Sequence, residues 1–147
     1  MARAGVIVAY SLGSCVAVCL SDPANAVAGM AHVVLPSAAD AAGVRTPGRY
    51  ANTAIPALVT AIREAGGCSS QLQCRIAGGA SVLKIGGEGQ MPQIGKRNVE
   101  AVKDALERAG LWILAESTGG SRGRTVRIDV ATGRVRVHTV AGEEEDL

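Results

Sequence analysis

Three apolar runs crowd the chain ahead of Pro36, too short for helices and too continuous for strands with one wet face. Val6-Ile7-Val8 is β-branched, Cys15 to Leu20 is apolar at every position, and Val27 to Leu35 is broken only by Gly29 and His32. β-branched residues favour pleated backbone, and a run apolar at successive positions needs cover on both faces. Asp22-Pro23-Ala24-Asn25 divides the second run from the third with type I turn chemistry, proline standing second. An antiparallel hairpin deep in a layered domain is predicted.

The remaining chain supplies the cover. Ser37 to Arg49 has no period and reads as a surface loop. Ile55, Leu58, Val59 and Ile62 recur at helical spacing, with Thr53 to cap the start, Pro56 in the first turn and Gly66-Gly67 as the stop. Leu72, Cys74 and Ile76 alternate with polar residues, as in a strand. Val99, Val102, Leu106 and Ala109 mark a second helix, Asn98 its cap and Gly110 its stop. Leu111 to Ala115 reads as a short buried strand. Val126, Ile128 and Val130 face Val135, Val137 and Val140 across the turn Ala131-Thr132-Gly133, and Glu143 to Asp146 reads as a solvated acidic tail. Strands outnumber helices without βαβ alternation, so the fold class is α+β, one layered domain over residues 1–147. At 14.9 kDa and 48% hydrophobic residues, the chain encloses a single core.

Several function classes fall away. With 15 basic and 13 acidic side chains and only Tyr10, Tyr50 and Trp112 as aromatics, the chain has neither the charge nor the stacking faces for nucleic acid. Cys15 and Cys19, then Cys68 and Cys74, lack the C-x-x-C step of structural zinc sites, and the only histidines are His32 and His138. No metal and no cofactor is expected, and most of the thiols read as small buried hydrophobes. Gly78-Gly79, Gly86-Gly87-Glu88-Gly89 and Gly119-Gly120 lack the Lys-Ser/Thr ending of a phosphate loop and read as turns. Arg122 and Arg124 beside the last pair admit an anion-binding nest, against a solvated loop. No run reaches the roughly 18 to 20 apolar residues of a spanning helix, so no membrane insertion is expected. Arg3 ahead of the run from Gly5 to Leu20 has the outline of a secretory leader, with Tyr10, Ser11, Gly13 and Ser14 interrupting it.

Chemistry gathers at two residues. His138 shares a strand face with Arg134 and Arg136 and should meet water. His32 sits inside an apolar run, where an imidazole is hydrogen-bonded or used. Cys15 leaves a loop, Leu12-Gly13-Ser14, whose glycine permits the backbone angles of an amide nest, and the N–H groups of Ser14 and Cys15 would hold an oxyanion. A two-residue loop at Pro23-Ala24 sets Cys15 directly opposite His32. A three-residue loop with Asn25 left-handed sets Val16 there instead. The Cys-His reading takes the first geometry, any extra turn residue being absorbed by a bulge near Gly29. An imidazole beside a thiol can take its proton and leave the nucleophilic thiolate.

Longer motifs carry a resemblance. Leu12 to Leu20, Gly29 to Pro36, Arg49 to Pro56, Ala77 to Ser81, Ile94 to Val99 and Thr118 to Arg124 resemble, in order, the signatures of the chemoreceptor glutamine deamidase family, CheD. The resemblance implies a cytoplasmic chemotaxis enzyme converting receptor glutamines to glutamate, and a layered α/β/β/α fold with largely antiparallel sheets, like that of toxin-type cysteine deamidases. It implies chemoreceptor cytoplasmic helices as substrate and a CheC-type phosphatase as partner. The family's nucleophile falls on Cys15 and its histidine on His32, so the leader outline becomes the nucleophile motif. Where the family carries threonine upstream of the cysteine, this chain has Ala9 and Tyr10, and Ser11 is the nearest hydroxyl and the candidate third residue. The departure at Ala9 motivates the alternative reading, an inactive adaptor that binds the phosphatase or receptor.

Overall fold

The run after Cys15 becomes the centre of the molecule. In the computed structural model, which describes residues 5–38, 45–81 and 94–147, β2 (Val16–Asp22) is buried at all seven positions. It pairs antiparallel with β3 (Val27–Val33) on one side and β4 (Gln73–Gly78) on the other, and β5 (Ile113–Thr118) extends the sheet parallel to β4. The second sheet is antiparallel throughout: β1 (Val6–Leu12), β6 (Arg124–Asp129), β7 (Val135–Thr139) and β8 (Glu144–Asp146) stand in that order. The layered α+β expectation is borne out.

Two cores follow from strand alternation. One face of the first sheet carries Val16, Val18, Leu20, Val27 and Val33 and is covered by α1 (Ala51–Glu64) and α2 (Ile94–Arg108) through Ile55, Ile62, Val102 and Leu106. Each such side chain, fully removed from water, contributes about 1.5–3 kcal/mol. The other face carries small residues, Ala17, Cys19, Ala28 and Ala77, and meets Val126, Ile128, Val135 and Val137 of the second sheet. Small against branched lets two sheets close without voids. Burial pushes the Cys19 and Cys74 thiols up to about 12, so they behave as the small hydrophobes expected.

The β2–β3 hairpin departs from both expected loops. Asp22 pairs with Val27, leaving four loop residues, and the left-handed position falls on Ala26 (φ 52°, ψ 47°) rather than Asn25. Asp22 explains why: fully buried, it accepts hydrogen bonds from Asn25 Nδ2 at 2.7 Å and Cys68 N at 2.8 Å. With the Asn25 side chain held there, the turn closes one residue later. Ala17 therefore stands opposite His32, and the ladder runs unbroken past Gly29 with no bulge.

Other expectations are corrected by burial. Thr53 does not cap α1; its hydroxyl donates to the Pro47 carbonyl at 2.5 Å, and Pro56 lies a turn further in. Asn98 is not a cap either, because α2 starts at Ile94 and carries Asn98 on its buried face. Leu111 to Ala115 is not a buried strand: β5 is a sheet edge, with Trp112 85% and Leu114 57% exposed. Val140 is exposed. The acidic tail forms β8, where Asp146 meets Arg134 at 2.8 Å and Arg136 at 3.2 Å. The turn reading of Gly86 to Gly89 and the middle of the loop after Ser37 lie outside the described residues.

Candidate active site

Cys15 begins where β1 hands over to β2, and the whole connection is tied down through its carbonyls. The Gly13 carbonyl accepts from Ala80 N at 2.8 Å, the Ser14 carbonyl from Asn98 Nδ2 at 2.9 Å and the Cys15 carbonyl from Gly79 N at 2.8 Å. Three successive carbonyls are thus spent on the residues just past β4 and on α2. A trans peptide directs its N–H opposite to its C=O, so fixing the carbonyls fixes the amides. Neither Ser14 N–H nor Cys15 N–H donates to another described residue. Among the described residues the loop offers two oriented, unspent donors beside a thiol, the arrangement an oxyanion requires.

Glycine at the facing strand makes this approach possible. Gly78 has φ +120°, and a Cβ there would overlap the Cys15 carbonyl oxygen and sit 3.1 Å from the Val16 Cα. Arg124 closes the same end of the sheets. Only 7% exposed, it donates to the Gly78 carbonyl at 3.2 Å and to those of Ser117 and Gly119. Three of its N–H donors go to carbonyls, and the side chain is buried rather than part of a solvated loop.

Register decides the rest. Because side chains alternate with a period of two, the slip of two residues from the expected pairing keeps His32 on the Cys15 side of the sheet. Ala17, opposite His32, faces the second sheet, and Cys15, two positions earlier, packs at the rim of the same layer. Cys15 and His32 are diagonal neighbours rather than directly opposed. Such pairs stand about 7–8 Å apart at the backbone and less at the side chains. Cys15 is partly buried and His32 exposed, and no hydrogen bond joins them. Partial burial pushes the Cys15 thiol up and the His32 imidazolium down, both toward the neutral form. Cys68, in contrast, is exposed, and a hydrogen bond with Ser70 holds its thiol below the ordinary value.

Ser11 stands in a break of the β1–β6 ladder with φ 52°, a left-handed angle for a residue that has a Cβ. Its N–H donates to Thr125 Oγ1 at 3.2 Å and the residue is exposed. His138 meets water on the far hairpin, as expected. The sequence marks Asn98 as a cap and Arg124 as part of an anion nest, and gives no sign of which carbonyls each one holds at this end of the sheets. For Asn98 the signal was present, since it falls on the stripe of Val102 and Leu106, where a polar side chain must find partners.

Similarity to known proteins agrees in extent. Residues 34–139 match the family model described as CheD chemotactic sensory transduction. A protein of Thermotoga maritima named chemoreceptor glutamine deamidase CheD is 46% identical over 147 residues, spanning 99% of this chain and 88% of its own. A probable chemoreceptor glutamine deamidase CheD of Symbiobacterium thermophilum is 43% identical over 97% of this chain and 87% of its own. One of Thermococcus kodakarensis is 37% identical over 95% of this chain and 86% of its own. The family model begins just past His32, but the relatives align through the Cys15 segment as well, and with both kinds of match in hand the chain belongs to the CheD family.

Proposed function

We propose that this protein is a protein-glutamine deamidase acting on the cytoplasmic helices of chemoreceptors. The observation that carries the reading is the Ser14–Cys15 segment, whose carbonyls are pinned and whose N–H groups are unspent among the described residues, next to a thiol on the His32 side of the sheet. Cys15 gives its proton to His32, and the sulfur attacks the glutamine side-chain carbon. The Ser14 and Cys15 N–H groups hold the oxygen as it becomes an oxyanion. His32 returns the proton to the leaving nitrogen, ammonia departs, and a thioester remains. His32 then takes a proton from water, whose oxygen displaces the sulfur to give glutamate and the thiol.

The two groups are apart in the free protein, which fits an enzyme whose hydrogen bonds tighten only around substrate. Ser11 is the proposed third residue, the nearest hydroxyl upstream of the Leu12-Gly13-Ser14-Cys15 loop, on a strand that packs against β2 and β3. The protein works in the cytoplasm, takes no cofactor, and pairs with a CheC-type phosphatase. No described helix is long and apolar enough to cross a membrane.

Ammonia release from a receptor cytoplasmic fragment tests the reading. Wild type should release it and Cys15→Ala should not, while Ser11→Ala should slow release without unfolding the chain. Ala9 and the unjoined Cys15 and His32 favour a second reading, an adaptor without activity. Phosphatase binding without any ammonia release from wild type would select it.

A further inference from the structure

Asn98 is a fully buried polar residue that no step above uses. Its Nδ2 donates at 2.9 Å to the Ser14 carbonyl and at 2.9 Å to the Val34 carbonyl, spending both hydrogens. Its Oδ1 is buried without a partner among the described residues. A side chain that leaves its acceptor orphaned is held for its donors, since an apolar residue of the same shape would avoid that cost. Both recipients adjoin the site. The Ser14 carbonyl shares a peptide plane with the Cys15 N–H, and Val34 lies two residues past His32, one step beyond the Val16–Val33 pair that ends the β2–β3 ladder.

We infer that Asn98 is the positioning residue of the oxyanion donor: by holding the Ser14 carbonyl it aims the Cys15 N–H at the substrate. Through Val34 it ties the same peptide to the strand that carries His32. This rests on the Cys15 deamidase reading. The planar peptide leaves the N–H no freedom of its own, so losing the Asn98 amide lets the Ser14–Cys15 plane rotate and the donor wander. The thiol itself stays where β2 and the Gly79 N–H bond hold it.

That separation provides the test. Alkylation by iodoacetamide displaces iodide at a saturated carbon and forms no oxyanion, whereas deamidation does. Asn98→Ala and the near-isosteric Asn98→Asp should lower kcat for ammonia release from a receptor cytoplasmic fragment by about 10- to 100-fold. That is less than the roughly 10²- to 10³-fold cost of removing such a donor outright. KM and the rate of Cys15 alkylation, read in folded protein by peptide mapping, should each stay within about threefold, since neither draws on the oxyanion donor. Alkylation falling in step with deamidation, or deamidation unchanged, overturns the proposal. On wild type, NMR should find both Asn98 side-chain amide protons slow to exchange, and exchange at the rate of exposed asparagines overturns it even if neither variant folds. Ammonia release that survives in Cys15→Ala overturns the underlying site reading, a result distinct from either failure above.

Discussion

Partial burial acts on Cys15 and His32 in opposite directions and to the same end. Desolvation raises the folded Cys15 thiol above its ordinary value and lowers the folded His32 imidazolium below its own, each toward the neutral form. The expectation is a resting protein without a thiolate–imidazolium pair. In a Cys68→Ser background, which removes the exposed and more acidic thiol, Cys15 alkylation should climb steadily with pH toward and beyond 9.0. A rate plateau through neutral pH would reveal a standing ion pair and contradict this. His32→Ala should change that alkylation little, yet lower deamidation by about 10²- to 10⁴-fold, the usual worth of a positioned acid–base group. Equal losses in both assays would mean that His32 activates the thiol at rest.

Hairpin and glycine strand together set where the thiol stands. Gly78→Ala forces a Cβ onto the Cys15 carbonyl at φ +120°, and should cost about 2–4 kcal/mol in urea unfolding and abolish deamidation. Ala26→Gly, at the left-handed turn position, should instead stabilise by about 0.5–1 kcal/mol, the steric cost of that angle less the added chain entropy. No change in either melt would show that those backbone angles carry no strain. The element types were legible because β-branched runs and helical spacing are local properties: β2, β3, α1 and the β6–β7 hairpin lie where the pattern put them. What resisted reading was tertiary. The hairpin loop took four residues because Asp22 captured Asn25 and the distant Cys68 N–H, and Asn98 sits inside α2 rather than at its start because its partners, the Ser14 and Val34 carbonyls, lie far away in the chain. Cys15 and His32 kept their shared face only because the slip was even.

Across the whole molecule, the site lies at one end of a two-sheet stack, and Arg124 fastens that end. Its strand belongs to the second sheet, and its guanidinium satisfies carbonyls of Gly78, Ser117 and Gly119 at the ends of β4 and β5. Arg124→Met keeps the bulk and strands those acceptors, so it should destabilise by about 2–4 kcal/mol and lower deamidation more than a matched loss elsewhere, such as Leu106→Ala. Equal activity in the two variants at equal stability would reduce Arg124 to a general brace. The central claim, that glutamine passes through a thioester on Cys15, has a more direct test. Wild type is mixed with a receptor cytoplasmic fragment, quenched in acid during turnover, digested, and searched by mass spectrometry for receptor peptide joined to each of the four cysteines. The adduct should appear on Cys15 alone, enriched at short times and replaced by free thiol as glutamate accumulates. Glutamate accumulating with the adduct on Cys19, Cys68 or Cys74, or with none on Cys15 at any time, would contradict it.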